Sequence, residues 1–292
     1  MTSSEDARRA SSCLALDIGA TKVEVGVVRA DGVVTHRGRI LVADHPDDLF
    51  ESIASLVDEI MAREHATIVG VGCAGPMTRD GERVSPLNIV AWRDFPLRSR
   101  LRERFGDDVH VDGDARALAL AEGEFGAATG DRSYLSMVVS TGVGGGIVID
   151  GRLLNGDTGN AGHVGHLVVV PNGAMCSCGA YGCLEAEASG WSIEARTGRP
   201  ASDADQATRE RTGELVGRAV GTLASVLDFT HCYIAGSVAL GYGDEFFQRA
   251  NKAARRTSMM SYTRDLDIRP SGLGADGPLL GAAIVGWRAG TQ

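Results

Sequence analysis

The chain predicts an α/β fold made of two similar halves, and two observations carry that expectation. Short apolar, strand-like runs alternate with amphipathic, helix-like stretches along most of the 292 residues. A unit of strand, Gly/Thr turn, strand and Asp-Gly turn occurs twice, at 13–32 and at 135–151, as an internal duplication would leave it. Two lobes with a cleft between them are the expected outcome.

The elements follow in order. Residues 1–11 are polar and read as a disordered tail. Cys13–Ile18 and Val23–Val28 are strands around the turn Gly19–Lys22, and a third strand resumes at Val33 after Asp31-Gly32. Pro46 and Asp47 open a helix whose Leu49, Ile53, Leu56, Val57 and Ile60 share one face. Ile68–Cys73 is a strand and 77–95 a loop carrying Asn88, Trp92 and Arg93. Pro96–Phe105 is a helix, Val109–Val111 a strand, and Ala115–Phe125 an Ala/Leu-rich helix. In the second half, Leu135–Ser140 and Ile147–Ile149 are strands around a glycine turn through Gly146. Then come a Cys/His segment, a helix over Gln206–Asp228, a strand at Tyr233–Ala235, a helix over Asp244–Arg256, a strand at Leu266–Ile268 and a helix over Pro278–Arg288. The expected lobes are 12–115 with 279–292, and 116–278.

Composition narrows the function. A net charge of −9 argues against a basic nucleic-acid face. No apolar run approaches the roughly 18 residues of a membrane span, and the polar start is unlike a signal peptide. With six cysteines outside any secretory pattern, a reducing, cytoplasmic compartment is expected. Cys13, Cys73 and Cys232 sit in apolar runs and read as buried core thiols.

The densest chemistry lies between Asn160 and Glu185. His166, Cys176, Cys178 and Cys183 offer one imidazole and three thiols at the spacing H-x9-C-x-C-x4-C. That is the ligand set of a closed, structural Zn²⁺ site. Disulfides or buried free thiols are the alternative, although three thiols cannot all pair.

Two Gly/Thr turns suit phosphate, because their N–H groups form an anion-binding concavity. They are Asp17–Lys22 and Ser140–Gly146. Plain hairpins are the alternative for each. With a third loop at Gly236-Ser237, they suggest a bound nucleotide, with Asp17 approaching Mg²⁺ through water. Asp114 ends a strand and starts a helix. It reads either as an N-cap or as the general base of a phosphoryl transfer. Glu185 reads as a solvated acid opening a helix or as a sugar contact.

These motifs together, Asp17-x-Gly-x-Thr-Lys22, Ser140-Thr-Gly-x-Gly-Gly-Gly146 and Ala161-Gly-x-x-Gly-His166 with Cys176-x-Cys178-Gly-x-x-Gly-Cys183-x-Glu185, resemble the ROK family of repressors and sugar kinases. The resemblance runs from about residue 13 to the end. It implies an actin/hexokinase-type (ribonuclease H-like) fold, ATP with Mg²⁺, transfer to the 6-hydroxyl of a hexose, and a homodimer. It also implies roles. Asp114 would be the catalytic base. His166 would be both zinc ligand and sugar contact, and Glu185, Gly75 and Asn88 would lie at the sugar. Asp17, Gly19, Thr21, Lys22, Thr141, Gly142 and Gly144 would line the phosphates, and Gly236 the adenosine.

Two departures fall on the sugar side. The family's Asn-Asp is here Gly113-Asp114, and its Ala-Gly-Glu is here Ala-Gly-His163. An imidazole donates and accepts where a carboxylate only accepts. Altered sugar choice is the expectation, with N-acetylmannosamine, glucose and kanosamine as candidates. Polyphosphate stays open as an alternative donor. A sugar-responsive regulator of the same family is disfavoured, because only about a dozen residues precede the first strand and the charge is acidic. A non-catalytic sugar-binding protein is disfavoured by Asp114 and the intact turns.

Overall fold

The computed structural model describes residues 11–43 and 45–288. Most of the tail expected at 1–11 lies outside the described residues. The chain divides into two compact units. The first comprises residues through Ala121, Asn155–Asn160 and the chain from Ala275; the second comprises Glu122–Leu154 and Ala161–Gly274. The units break after Ala121 and before Ala275, beside the expected 115/116 and 278/279, and Asn155–Asn160 also belongs to the first unit.

The first unit is a five-stranded sheet in the order β3-β2-β1-β4-β5. Its strands are β1 (Cys13–Ile18), β2 (Lys22–Val28), β3 (Val34–Leu41), β4 (Ile68–Cys73) and β5 (Val109–Gly113). The first three form an antiparallel meander, while β4 and β5 run parallel to β1. β1 and β4 read as unbroken apolar runs because their central positions are buried on both faces. Helix α1 (Pro46–Met61) has proline in its first turn and buries Leu49, Phe50, Ile53, Ala54, Val57 and Ile60. Helices α2 (Leu97–Phe105) and α3 (Asp114–Phe125) flank β5 in sequence, and α8 (Gly277–Trp287) closes the chain.

The second unit repeats this topology in full. Its sheet runs β10-β9-β6-β7-β8, with β6 (Tyr134–Val139), β7 (Val143–Ile149), β8 (Arg152–Leu153), β9 (His231–Ala235) and β10 (Asp267–Pro270). Again the first three strands are antiparallel, and the last two run parallel to the first. The duplication thus covers five strands rather than the meander alone. Asp150 and Gly151, with φ of 52° and 76°, form the β7–β8 hairpin turn that the Asp-Gly pair predicts. Helices α6 (Gln206–Leu227) and α7 (Ser237–Thr257) pack tightly because Gly213, Gly217 and Gly221 form a stripe. A Cβ on Gly217 would lie 2.1 Å from the Ala250 carbonyl oxygen.

Two expectations are corrected. The glycine run through Gly146 is not a turn; Val143–Gly146 is strand, paired in register with Val139–Ser136. The turn is Ser140–Gly142, closed by the Ser140 N–H donating to the Gly142 carbonyl at 2.9 Å. The glycines serve close packing instead, as described below. Helix α7 begins at Ser237, seven residues before the expected Asp244, and passes through a break at Gly243, with φ of 66°. That glycine masks the helical period in the sequence.

Candidate functional site

In the first unit, parallel topology decides what comes together. β1, β4 and β5 end side by side, so the residues at their carboxyl ends meet, as in other open α/β sheets. Asp17 pairs in register with Gly72 of β4, and a Cβ on Gly72 would lie 3.4 Å from the Asp114 Cα. Asp17 and Asp114 thus flank one glycine. The Gly19–Lys22 turn leaves from the same edge, with the Gly19 N–H donating to the Lys22 carbonyl at 3.1 Å. Thr21 is exposed at its tip.

Asp114 opens α3, and its Oδ1 accepts from the Ala115 N–H at 2.7 Å. One oxygen of this carboxylate is thus engaged by the backbone at the start of the helix. Lys22 pairs with Glu24 at 3.1 Å. Asp17 is the perturbed acid. Burial, then the charges of Asp114 and Glu24, push its carboxyl up to about 7 against the pull of Lys22. A raised acid in the folded state stabilises below its unfolded value of about 3.9, and that contribution is lost as pH rises toward 7. In zinc-loaded protein without magnesium, Asp17→Asn is expected to raise the urea midpoint more at about pH 8 than at about pH 5. Equal gains at both would contradict the burial of an ionising carboxylate there.

Gly75 precedes Pro76 across a cis peptide bond. Asn88 is exposed in the following loop, which is stapled back to this turn. The Ser85 N–H donates to the Pro76 carbonyl at 2.8 Å and the Leu87 N–H to the Gly75 carbonyl at 3.3 Å. Trp92 is not at the surface. It is fully buried, stacks on Phe95 at 4.5 Å, and donates to the Pro46 carbonyl at 3.2 Å. Arg93 braces the loop by donating to the Ser85, Pro86 and Leu87 carbonyls.

Gly113 leaves room for a neighbour. A Cβ there would stand 3.1 Å from Cδ of Arg116. Arg116 is buried and forms a two-pronged pair with Asp112, at 2.6 and 3.3 Å, and donates to Asn155 Oδ1 at 2.6 Å. The arginine lies beside the position where the family carries an amide.

In the second unit, the glycine run of β7 and the segment before the cysteines are fitted to each other. A Cβ on Gly162 would lie 2.6 Å from the Gly145 carbonyl oxygen, one on Gly165 would lie 2.1 Å from that of Val143, and one on Gly145 would lie 2.8 Å from Val164. This flush contact seats the single turn Val164–His166, with His163 exposed at its start. The rings of His163 and His166 are 6.0 Å apart. Gly144 accordingly lies in β7 opposite Val138, not in the turn.

Four donor atoms from His166, Cys176, Cys178 and Cys183 all lie within 4.8 Å of one another. Cys176 Sγ is 3.6 Å from His166 Nδ1, and Cys178 Sγ is 3.8 Å from Cys183 Sγ. A tetrahedral Zn²⁺ with ordinary bond lengths sets edges of about 3.6 Å (S to N) and about 3.8 Å (S to S). A disulfide would need about 2.05 Å. The residues therefore fit zinc. Without a cation, burial pushes the Cys183 thiol up to about 12, a cost that metal ligation removes. The Cys176 N–H bonded to the Ala180 carbonyl, and Gly179 with φ of 93°, fold the knuckle.

Short helices α4 (Leu184–Ala188) and α5 (Gly190–Thr197) follow. Glu185 accepts from the Val143 N–H at 2.9 Å, so it is tied to β7 rather than simply solvated. No motif in the sequence marks Glu187. It is buried, accepts from the Ala174 N–H at 2.6 Å and pairs with Arg211 at 2.5 Å. Burial alone would raise its carboxyl; the Ala174 N–H and Arg211 instead hold it below the ordinary range. It anchors the knuckle to α6.

Trp191 is likewise unmarked by any motif. The Ser140–Gly142 turn is held by the Gly190 N–H donating to the Ser140 carbonyl at 2.7 Å and the Trp191 N–H to that of Thr141 at 3.2 Å. Ser140 Oγ meets Ser237 Oγ at 3.0 Å, and a Cβ on Gly190 would lie 3.4 Å from Val238. Gly236, with φ of 103°, presses on Val139. Thr141, Gly142, Gly236, the start of α7 and Trp191 thus gather at one end of this sheet. Trp191 is 66% exposed, while Trp92 and Trp287 are 0% and 2% exposed. Only the packing of these strands and helices reveals it.

Two copies of one mixed five-stranded sheet, each opening on a hairpin with a Gly/Thr turn, define the actin/hexokinase-type α/β class. Within that class the chain belongs to the ROK family, whose model it matches over residues 13–288. It is 39% identical over 184 residues to the glucokinase of Thermotoga maritima, covering 62% of this chain and 58% of that one. The match thus spans less than two thirds of that relative's length. It is 34% identical over 250 residues to an N-acetylmannosamine kinase of Escherichia coli, covering 79% and 84% of the two chains. Its fold matches a ROK glucokinase of Streptomyces griseus in complex with glucose and AMPPNP, with a TM-score of 0.83, 27% identity, and coverage of 94% and 98%. No helix among the described residues is long and apolar enough to cross a membrane.

Proposed function

We propose that the protein is a ROK-type sugar kinase that transfers the γ-phosphate of ATP to a hexose or amino-hexose, on the 6-hydroxyl. The observation that carries this is the placement of Asp17 and Asp114 around Gly72 at the ends of parallel strands, beside the Thr21 turn, in a chain of this family. Relatives named glucokinase and N-acetylmannosamine kinase support the sugar class.

In this reading Asp114 accepts the hydroxyl proton as the sugar oxygen attacks phosphorus. The turns at Gly19–Lys22 and Thr141–Gly142 hold the phosphates, and Asp17 would hold Mg²⁺ through water, which would supply charge neutralisation. Gly75, Asn88, Gly113, His163, His166 and Glu185 are the proposed sugar contacts. His166, Cys176, Cys178 and Cys183 would hold Zn²⁺ as a structural ion, which would fix the residues around it rather than act on the sugar. His163 and Gly113 replace a carboxylate and an amide, so sugar choice differs from that of a plain glucokinase. Within the family frame the protein acts as a cytoplasmic homodimer.

Trp191 supplies the test of nucleotide binding. Stacked on an adenine ring, it contributes about 0.5–1.5 kcal/mol. A non-hydrolysable ATP analogue with Mg²⁺ is expected to quench the fluorescence of this exposed tryptophan saturably. Trp191→Phe should abolish that quench, and Trp191→Ala should raise the KM for ATP by about 3–10-fold with little change in kcat. Saturable nucleotide binding without any change in Trp191 emission would remove this residue from the site. Absence of nucleotide binding altogether would count against a kinase.

A further inference from the structure

The first unit holds a cavity apart from the sugar, phosphate and zinc residues proposed above. A cavity of about 480 Å³ lies between the Met77–Gly81 turn, β5, the start of α3, the Asn155–Gly159 segment and the end of α8. None of the residues assigned above to sugar, phosphate or zinc lines it. Its walls carry four arginines, Arg79, Arg98, Arg116 and Arg288, against two aspartates, Asp80 and Asp112. That excess of positive charge stands out in a chain whose net charge is −9.

Two of these charges, on Arg79 and Arg98, have no carboxylate partner among the described residues. Arg116 is matched by Asp112. The Arg98 guanidinium, however, donates to backbone carbonyls, those of Val109 at 3.1 Å and Asp80 at 3.4 Å. Arg79 has no carboxylate partner among the described residues. Both therefore face the cavity with unmatched positive charge, which favours an anion.

The walls are also fixed in advance. The 77–81 turn is held by Asn160, whose side chain accepts from the Met77 N–H at 3.0 Å and donates to the Met77 carbonyl at 2.8 Å. Asp80 sits in the left-handed region with φ of 66°, and a Cβ on Gly81 would lie 2.4 Å from Val111, so the turn is pressed onto β5. On the other side Arg116 is locked between Asp112 and Asn155. An arginine fork matches the oxygens of a phosphate, and the volume is that of a small-molecule site rather than of a bare ion.

We propose that this cavity binds a small phosphate-bearing anion, with Arg79 and Arg98 as its principal contacts and the Arg116–Asn155 pair as the rigid wall. The ligand is a phosphomonoester of a small polar molecule or free phosphate; the chemistry recognised is the same.

The test uses the full-length, zinc-loaded protein and follows its unfolding midpoint against inorganic phosphate and, separately, a hexose 6-phosphate. Sodium chloride at matched ionic strength is the control. Both phosphates are expected to raise the midpoint saturably, as a ligand of the folded state does. Arg79→Glu and Arg98→Ala should each weaken the apparent affinity about tenfold or more, and Arg98→Lys less. A hexose 6-phosphate is also the product of the proposed reaction, so only the part of each shift that Arg79→Glu removes is read: tighter binding of the hexose phosphate in that part identifies an ester as the ligand, and equal binding identifies free phosphate. Arg98 braces two carbonyls, so its alanine variant is read only if it folds. Arg79 is exposed, and its reversal carries the test alone. A midpoint shift of the same size and concentration dependence in wild type and Arg79→Glu would overturn the proposal, as would no saturable shift.

Discussion

Asp114→Asn is expected to lower kcat by about 10²–10⁴-fold while leaving nucleotide and sugar affinity within a few-fold of wild type. The asparagine keeps the side-chain oxygen that accepts from the Ala115 N–H, so the start of α3 survives. What it loses is the ability to accept a proton from the attacking hydroxyl. The Trp191 quench by a non-hydrolysable ATP analogue should persist in the variant. It separates loss of chemistry from loss of fold. Turnover within a few-fold of wild type would move the base to another residue, and Asp17, on the other side of Gly72, is the carboxylate that the strand register places there.

Removing zinc is expected to have the next largest effect. Cys178 is exposed, so Cys178→Ser perturbs no packed side chain directly, yet it takes one donor from a set of four within 4.8 Å. The remaining thiols are then left without the cation that offsets the cost of ionising them. We expect a destabilisation of about 4 kcal/mol or more, read as a fall in the unfolding midpoint. Sugar affinity should fall in parallel, because His163 begins the turn that ends at His166, and Glu185 follows closely on Cys183. Metal analysis of wild type should return one zinc per chain. A chain without zinc, and a serine variant as stable as wild type, would show that Glu187 and Arg211 suffice to hold the knuckle.

The strands and the zinc-type ligand set are legible in the sequence because each rests on a local signal. β1 and β4 are bounded as the apolar runs Cys13–Ile18 and Ile68–Cys73 require. The four metal-ligating side chains stand out by residue type and spacing. Cys13, Cys73 and Cys232 are buried, as their apolar neighbours imply. What is not legible depends on partners distant in sequence. The turn propensity of Gly144, Gly145 and Gly146 gives way to strand pairing with β6 and to the close approach of Gly162 and Gly165. Trp191 reads as one more residue after a Ser-Gly pair. Its meaning comes from hydrogen bonds across the fold around Ser140 and Thr141, and from its exposure beside the start of α7. Arg116 likewise belongs to a helical pattern in the sequence, and only the missing side chain at Gly113 and the distant Asn155 give it a place.

Phosphoryl transfer to a sugar is read by ADP release across a panel of sugars. The panel is glucose, mannose, N-acetylmannosamine, N-acetylglucosamine, kanosamine and allose, with ATP, Mg²⁺ and zinc-loaded protein, and Asp114→Asn as the control. Sugar-dependent ADP release is expected with at least one of them, with a hexose 6-phosphate as product and no such release from the variant. Nucleotide binding without sugar-dependent ADP release from any sugar, or release that Asp114→Asn leaves intact, would contradict a sugar kinase with Asp114 as its base.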